Sequence, residues 1–529
     1  MKITGQNIIG YTSSATGTAT FQGTNPATGE LLPGAFHQAT ANEANEIAVK
    51  AAAAFKIYGQ KSGEEKAIFL EAIAEEIMAL GEDLINRAIA ETGLPAARLT
   101  GERGRTTGQL KLFAQLLREG SWVDVRIDTA IPDRQPLPKP DLRSMMIAVG
   151  PVMVFGASNF PFAYSAAGGD TASALAAGCP VIVKAHPSHP GTDEMVSHAI
   201  ISAAKKTNMP DGVFSMLFSD ETIAIKLVTD PAVKAIGFTG SRKGGMAIFN
   251  AAVNRAEPIP VYAEMSAVNP VILMPDAVAA NANGIAQGLV ASVTMGVGQF
   301  CTNPGLVFMV NDDNAAGFLN TLSEGFKNAM PGTMLSANIC ANYYSGVDKL
   351  KSTAAVTALA HSNTEADAAK TEALPYVFTV TQKDFIANKQ LSHEVFGPAT
   401  LVVLCNNVDE IGDILKDMEG QLTATVHATD ADEKQIQPLI DLMKEKAGRV
   451  IFGGFPTGVE VCDAMVHGGP FPSTTDGRST SVGTAAILRF VRPVAYQNFP
   501  AHLLPDALKN NNPLHILRKV NGTFTKDAF

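Results

Sequence analysis

Short, continuous apolar runs recur from Ser144 onward, and each is followed by a small or polar turn and then by a helical pattern. Such runs are typical of strands buried on both faces, and their alternation with helices predicts parallel βαβ units. A further series begins after residue 270, so the sequence predicts two α/β domains, one after the other. The first series is SMMIAVGPVMVFGAS, CPVIVKAH, GVFSMLFS and VKAIGFTGS, and the second is PVILMPDA, GLVFMV, YVFTV, TLVVLC, LTATVHAT and RVIFGG.

The segments outside these two series have different sequence patterns. The first 120 residues are predicted to be mainly helical, and one helix is marked by Ser62 and Glu65 at capping-box spacing. Residues 123–143 are rich in proline and polar residues, which favours a loop or an exposed β-hairpin. The tail ILRFVRPVAYQNFP is a β-prone strand without an obvious partner, so it is a candidate for pairing between subunits.

The composition excludes several classes of protein. The 529 residues are 46% hydrophobic and 17% charged, which is typical of a globular chain of two or three domains. A net charge of −10 without a long basic cluster argues against a nucleic-acid partner. The most apolar run, MMIAVGPVMVFGA, is shorter than the roughly 20 residues of a spanning helix, and we expect no membrane association. Five scattered cysteines indicate neither disulfides nor a metal site, which favours the cytoplasm.

Several polar residues stand where chemistry is possible, and each also has an ordinary structural explanation. Cys301, in TMGVGQFCTNPG, is either a nucleophile on a flexible loop or a small buried side chain. Asn159 and Glu264 each follow a predicted strand. In the ordinary interpretation, Asn159 is a turn residue and Glu264 is an exposed acid. Gly240 and Ser241 follow the strand VKAI and open a helix whose free N–H groups suit a phosphate.

Taken together, in their order and spacing, the motifs resemble the aldehyde dehydrogenase superfamily over nearly the whole chain. The matching segments are ASNFPF, VIVKAH, FTGS, EMSAVNP, GQFC and EVFGP. The sequence departs from the family pattern where Ser158 replaces the usual Trp and where SAV replaces Gly-Gly-Lys after Glu264. These departures leave the reacting groups in place.

The resemblance implies the reaction and its participants. Cys301 would attack an aldehyde as a thiolate and form a thiohemiacetal. The side-chain amide of Asn159 and the backbone N–H of Cys301 would stabilise the oxyanion. Glu264 would act as the general base that activates water against the thioester, with its pKa raised by an apolar pocket.

The resemblance also assigns a nicotinamide dinucleotide as cofactor. Its contacts would be Lys184 at the adenosine ribose, Gly240 and Ser241 at the pyrophosphate, and Glu394 and Phe396 at the nicotinamide ribose. Pro187 stands where NAD-preferring members carry a Glu that repels a 2′-phosphate. Because Lys184 can pair with a phosphate there, we expect NADP to be preferred and NAD to be accepted.

The fold class that follows is α/β, with two Rossmann-like parallel-sheet domains and a small β element for oligomerisation. Residues 1–122 and 144–265 would form the NAD(P)-binding domain, and residues 266–484 the catalytic domain. Residues 123–143 and 485–529 would form the oligomerisation arm and C-terminal tail of a homodimer or homotetramer.

The substrate is less constrained. The segments GFPTGVEVCDAMVHGGPFPST and GERGRTTGQLKLFAQ resemble the branch that oxidises 2,5-dioxovalerate to 2-oxoglutarate. Arg105 would then bind the substrate carboxylate, although an exposed arginine is an equal alternative. Phe160 and the late loop residues Pro456, Thr457 and Val459 would line the substrate site. A general or long-chain aliphatic aldehyde dehydrogenase, a CoA-acylating enzyme and a catalytically silent protein remain as alternatives.

Overall fold

A computed structural model describes residues 3–529 and confirms the mixed α/β class with two parallel-sheet units. Each unit is built on a seven-stranded sheet, and a separate five-stranded sheet lies beside them. Within residues 3–529, no helix combines the length and apolarity needed to cross a bilayer.

The first sheet is doubly wound. Its first strand in the parallel series, Val152–Phe155, pairs on one side with Val181–Lys184 and on the other with Ala235–Thr239. The chain therefore reverses its winding direction beside Val152–Phe155, and the carboxyl ends of the strands open a crevice there. In sheet order the strands are Val261–Glu264, Ala235–Thr239, Val152–Phe155, Val181–Lys184, Phe214–Leu217, Asn7–Ile9 and Thr12–Ser14.

Helices cover both faces of this sheet. The predicted capping box is confirmed, because Ser62 accepts from the Glu65 N–H while the Glu65 carboxylate accepts from the Ser62 N–H. The helices are Ala41–Tyr58, Gly63–Ala79, Gly81–Thr92, Ala96–Glu119, Gly169–Ala177, Pro190–Lys206, Glu221–Val228 and Arg242–Val253.

The second sheet is parallel except for one edge strand, Thr357–His361. Its strands in order are Thr357–His361, Tyr376–Thr381, Ala399–Cys405, Leu306–Val310, Val271–Leu273, Gln421–His427 and Ala447–Phe452. Its helices are Pro275–Thr294, Ala315–Asn328, Ala337–Ser352, Gln382–Ala387, Val408–Asp417 and Glu433–Lys446.

The tail strand has a partner within its own chain. Val491–Gln497 pairs antiparallel with Leu142–Ala148 along its whole length. Residues 126–148 form the hairpin that was one of the two expectations for the proline-rich segment, since Arg126–Asp128 also pairs antiparallel with Leu142–Ala148. Val491–Gln497 is the edge of the five-stranded sheet, which continues through Arg518–Val520 to Thr523–Thr525. The role of this sheet in oligomerisation stays a prediction.

Candidate active site

A cavity of about 1290 Å³ lies at the carboxyl end of the first sheet, between the two α/β units. Its wall contains Asn159, Glu264 and Cys301, which the sequence analysis assigned to catalysis. These three residues are distant in sequence. They meet here because each lies at or just after the end of a strand or helix that opens on the crevice. The wall also contains Gly240, Ser241, Glu394 and Phe396 of the expected cofactor contacts.

The loop before Cys301 is shaped by three consecutive left-handed residues. Gly296, Val297 and Gly298 have φ values of 54°, 58° and 64°. A β-branched residue such as Val297 is rare in this region, so the turn stores backbone strain. A Cβ on Gly298 would lie 2.2 Å from the Gly397 carbonyl oxygen. Glycine is therefore required for the nucleophile loop to lie against the turn that carries Glu394.

Cys301 is held by its backbone and contacts an unexpected partner with its side chain. The Cys301 carbonyl accepts a hydrogen bond of 2.8 Å from Asn269 Nδ2. The Cys301 Sγ lies 3.4 Å from His467 Nε2. Cys301 is half-buried in the cavity wall, whereas Cys179 and Cys405 lie in the core clusters.

His467 links Cys301, the expected nucleophile, to Glu264, the expected base. Its Nε2 atom also lies 3.0 Å from Glu264 Oε1, and the other carboxylate oxygen accepts a 2.9 Å hydrogen bond from Ser481 Oγ. Sequence reasoning missed His467. Its only sequence signal is the segment GFPTGVEVCDAMVHGGPFPST, which resembles a branch of the family but indicates no role for the histidine.

The charges in this cluster lower the pKa of Glu264 and raise the pKa of Cys301. Burial alone would raise the pKa of Glu264, but the charge of His467 and hydrogen bonds from His467, Ser481 and Cys301 outweigh it and lower the pKa. The expectation that an apolar pocket raises the pKa of Glu264 is therefore wrong. Burial and the negative charge of Glu264 raise the pKa of the Cys301 thiol well above its usual value. The thiol therefore holds its proton at neutral pH until an adjacent group accepts it.

The ligand atoms of Cys301, Glu264 and His467 lie within 4.8 Å of one another. Such a set of sulfur, carboxylate and imidazole donors also matches the preferences of zinc. The sequence expectation of no metal stays a prediction.

Asn159, the expected oxyanion donor, lies beside the loop that carries Cys301. Its Nδ2 donates to the Gln299 carbonyl at 3.0 Å, which places the amide beside the backbone that leads into Cys301. The backbone carbonyl of Asn159 accepts a hydrogen bond of 2.7 Å from Arg98 Nη2. The Arg98 guanidinium packs over the rings of Phe160 and Phe300, at 5.1 and 4.9 Å from the centroids. These contacts fix the Asn159 loop against the nucleophile loop.

The phosphate end of the expected cofactor site is a helix N-terminus. Ser241 caps the helix Arg242–Val253 by accepting a hydrogen bond of 3.2 Å from the Gly244 N–H. Gly240 and Ser241 line the cavity, so the first turn of this helix faces the open space. A helix N-terminus at the switch point of a doubly wound sheet suits the pyrophosphate of a dinucleotide.

At the adenosine end of the expected cofactor site, Lys184 lies behind the cavity wall. Lys184 is not among the residues of the cavity wall, although Pro187 and Ser188 are. Burial lowers the pKa of Lys184, and the carboxylates of Asp193 and Glu221 act in the opposite direction. The structure thus places an acidic residue, Glu221, in the electrostatic environment of Lys184, which the sequence analysis did not consider.

The nicotinamide end contains Glu394 and Phe396, both in the cavity wall. Burial raises the pKa of Glu394 to about 7, against hydrogen bonds from the Ser266 side chain and the Ala267 backbone. The cavity, its helix N-terminus and this carboxylate together fit a nicotinamide dinucleotide.

The expected substrate residues divide into two groups. Arg105 lies over the rings of Phe160 and Tyr164, at 5.7 and 5.6 Å, and its charge acts on Cys301, so it faces the interior. Pro456 is buried, and Thr457 bonds to Ser292 Oγ at 2.6 Å.

Val459 is half-buried in the same loop as Pro456 and Thr457. None of these five expected substrate residues lines the 1290 Å³ cavity.

Comparisons with known proteins identify the family of the chain. Residues 11–483 match the model of the aldehyde dehydrogenase family. The chain is 50% identical over 528 residues to alpha-ketoglutaric semialdehyde dehydrogenase 2 of Azospirillum brasilense, covering 99% of each chain. It is 49% identical over 493 residues to alpha-ketoglutaric semialdehyde dehydrogenase of Acinetobacter baylyi, covering 93% of each. Among solved structures, a betaine aldehyde dehydrogenase variant of Staphylococcus aureus superposes with a TM-score of 0.80 at 19% identity. That match covers 94% of this chain and 97% of the other, and it shows the fold alone.

Proposed function

Because the chain belongs to the aldehyde dehydrogenase family, we propose that it oxidises 2,5-dioxovalerate to 2-oxoglutarate with NADP or NAD as the oxidant. The observation that carries the proposal is the contact of Cys301 with His467 and of His467 with Glu264, in the wall of a cavity that fits a dinucleotide. The names of the two closely similar relatives support the choice of substrate.

The first chemical step is attack by Cys301. The Glu264 carboxylate accepts a hydrogen bond from the Cys301 thiol and takes its proton, while His467 Nε2 donates to Glu264 Oε1 at 3.0 Å and holds the carboxylate in place. The low pKa of Glu264 then returns this proton to solvent. The thiolate adds to the aldehyde carbon, and the negative charge that develops on oxygen is stabilised by N–H groups of Asn159 and Cys301. When bound, a nicotinamide cofactor supplies the hydride acceptor.

The second step is hydrolysis of the thioester on Cys301. Glu264 is ionised at neutral pH, because its pKa is lowered by His467 and its hydrogen bonds. It takes a proton from a water molecule, whose oxygen attacks the acyl carbon and releases the carboxylate product and the Cys301 thiolate. Glu264, held in place by His467 and Ser481, thus serves acylation and deacylation in turn.

The proposal includes a preference for NADP. Pro187 in the cavity wall supplies no carboxylate to repel a 2′-phosphate, which supports the preference, while Glu221 near Lys184 opposes it. Steady-state kinetics with both cofactors test this part. A far higher kcat/KM with NAD would overturn the cofactor preference without affecting the reaction.

The proposal also places the protein in the cytoplasm as a homodimer or homotetramer. All five cysteines are free, which suits a reducing compartment. Size-exclusion chromatography with light scattering would measure the assembly.

A substrate panel tests the function itself. We expect 2,5-dioxovalerate to have the highest kcat/KM, succinic semialdehyde a lower one and hexanal the lowest. Equal efficiency across the panel would overturn the proposed substrate, and a preference for hexanal would favour the aliphatic alternative. The matched variant Cys301→Ala should form no NAD(P)H, and full activity in that variant would refute the mechanism.

A further inference from the structure

We propose that Cys301, His467 and Glu264 form a binding site for Zn²⁺, and that the bound ion reversibly holds the nucleophile inactive. The inhibitory consequence rests on the proposed function, whereas metal binding by these three side chains does not. Together they supply a sulfur, an imidazole nitrogen and a carboxylate oxygen, and these atoms all lie within 4.8 Å of one another. Three protein ligands with an open fourth position are a common arrangement around zinc.

The three side chains form a closed triangle of contacts. Cys301 Sγ lies 3.4 Å from His467 Nε2, that nitrogen lies 3.0 Å from Glu264 Oε1, and a hydrogen bond joins Glu264 to Cys301. In a tetrahedral site with a Zn–S bond of about 2.3 Å and Zn–N and Zn–O bonds of about 2.0–2.1 Å, sulfur and nitrogen lie about 3.5 Å apart, and nitrogen and oxygen about 3.4 Å apart. The two measured distances are shorter than these by less than about 0.5 Å, so small side-chain movements admit the ion.

The triangle can be reached from the cavity. Cys301 and Glu264 both belong to the wall of the 1290 Å³ cavity, and Cys301 is half-buried there. The side chains of His467 and Glu264 are only 1% and 3% exposed, so they lie deeper than the sulfur. The open fourth coordination position would therefore face the cavity.

Charge and donor type favour Zn²⁺ among divalent cations. The ion replaces the thiol proton of Cys301, which leaves to bulk water, and a Zn–S bond forms without a change of oxidation state. The thiolate and the Glu264 carboxylate then balance both charges of the ion, which lowers the cost of burying it. Mg²⁺ and Ca²⁺ prefer six or more oxygen ligands, so this donor set does not suit them.

Two features predict that the ion binds reversibly. His467 Nδ1 is buried without a hydrogen-bond partner within residues 3–529, so it lacks the acceptor that usually orients a metal-binding histidine. The positive charge of Arg105 also acts on Cys301 and opposes a second cation there. While bound, the ion occupies the sulfur that attacks the aldehyde and the carboxylate that accepts protons, so both chemical steps stop.

Metal binding is tested without any assay of turnover. Isothermal titration of the wild-type enzyme with Zn²⁺ should show one ion bound per chain at this site, and Co²⁺ should give the charge-transfer absorption of a thiolate–cobalt bond. His467→Gln and Cys301→Ala should each weaken binding by more than about 100-fold, because loss of even an outer partner of a metal ligand costs about 10- to 100-fold. The matched control is Cys462→Ser, since Cys462 is a half-buried free thiol outside the cluster, and its Zn²⁺ affinity should equal that of the wild type.

Inhibition is measured separately, as the initial rate of NAD(P)H formation at fixed concentrations of free Zn²⁺. We expect a loss of activity that EDTA reverses, and slower alkylation of Cys301 by iodoacetamide while Zn²⁺ is present. Equal Zn²⁺ affinity in the wild type, His467→Gln and Cys301→Ala would overturn the inference, as would alkylation of Cys301 at an unchanged rate. If the wild-type enzyme binds Zn²⁺ through this cluster but oxidises no aldehyde, the proposed function fails and the metal site stands.

Discussion

Replacing His467 by Gln tests the central feature of the site. The amide of Gln can still donate to Glu264, but it cannot carry a positive charge. The thiol pKa is raised by burial and by Glu264, and the variant removes the imidazole that lies 3.4 Å from Sγ and holds Glu264 in place. We expect the rate of acylation to fall by about 10- to 10²-fold, because Glu264 remains as the base and loses its charged, positioning partner.

This loss corresponds to about 1–3 kcal/mol in the activation barrier. Two contacts produce it, the 3.4 Å contact between His467 Nε2 and Cys301 Sγ and the 3.0 Å contact with Glu264 Oε1. Because the positive partner of Glu264 is also lost, the pKa of Glu264 should rise, and the pH profile of deacylation should shift upward.

Two assays separate these effects. Single-turnover formation of NAD(P)H reports acylation, and the rate of iodoacetamide alkylation against pH reports the ionisation of Cys301. His502→Gln is the matched control, since His502 is exposed in the short turn Ala501–Leu503. An unchanged single-turnover rate together with an unchanged alkylation profile would refute the assigned role of His467.

Three further predictions follow from the site. Asn159→Ala should lower kcat by about 100-fold or more while leaving alkylation of Cys301 unchanged, and a small loss would argue against the oxyanion role. Glu394 has a pKa of about 7 in the folded protein, above its usual value of 4.5. Ionisation of Glu394 therefore destabilises the native state as the pH rises through this window, and Glu394→Gln removes that cost. The variant should therefore gain Tm over the wild type at pH 8 and not at pH 4, and an equal difference at both would contradict this cause. Glu221→Gln should tighten NADP binding relative to NAD, measured by fluorescence titration, and an unchanged ratio of Kd values would remove Glu221 from cofactor selection.

The amino-acid sequence was enough to predict the class of fold, and it named the candidate groups Cys301, Glu264 and Asn159. Alternation of buried strands and helices is a local pattern, and it predicted two parallel-sheet units correctly. The motif before Cys301 is also local, because two of the three residues in its left-handed turn are glycines, Gly296 and Gly298. Each motif alone has an ordinary structural explanation, and only their order and spacing together indicate the family.

Which distant groups meet became visible in the folded structure alone. His467 and Glu264 are separated by 203 positions, and no spacing rule relates them. The direction of the Glu264 pKa depends on that contact, so reasoning from an apolar segment alone predicted the wrong sign. The partner of the tail strand Val491–Gln497 was equally hidden, since it lies more than 340 residues earlier in the chain. Electrostatics and strand pairing depend on distance in space, which the chain establishes only when it folds.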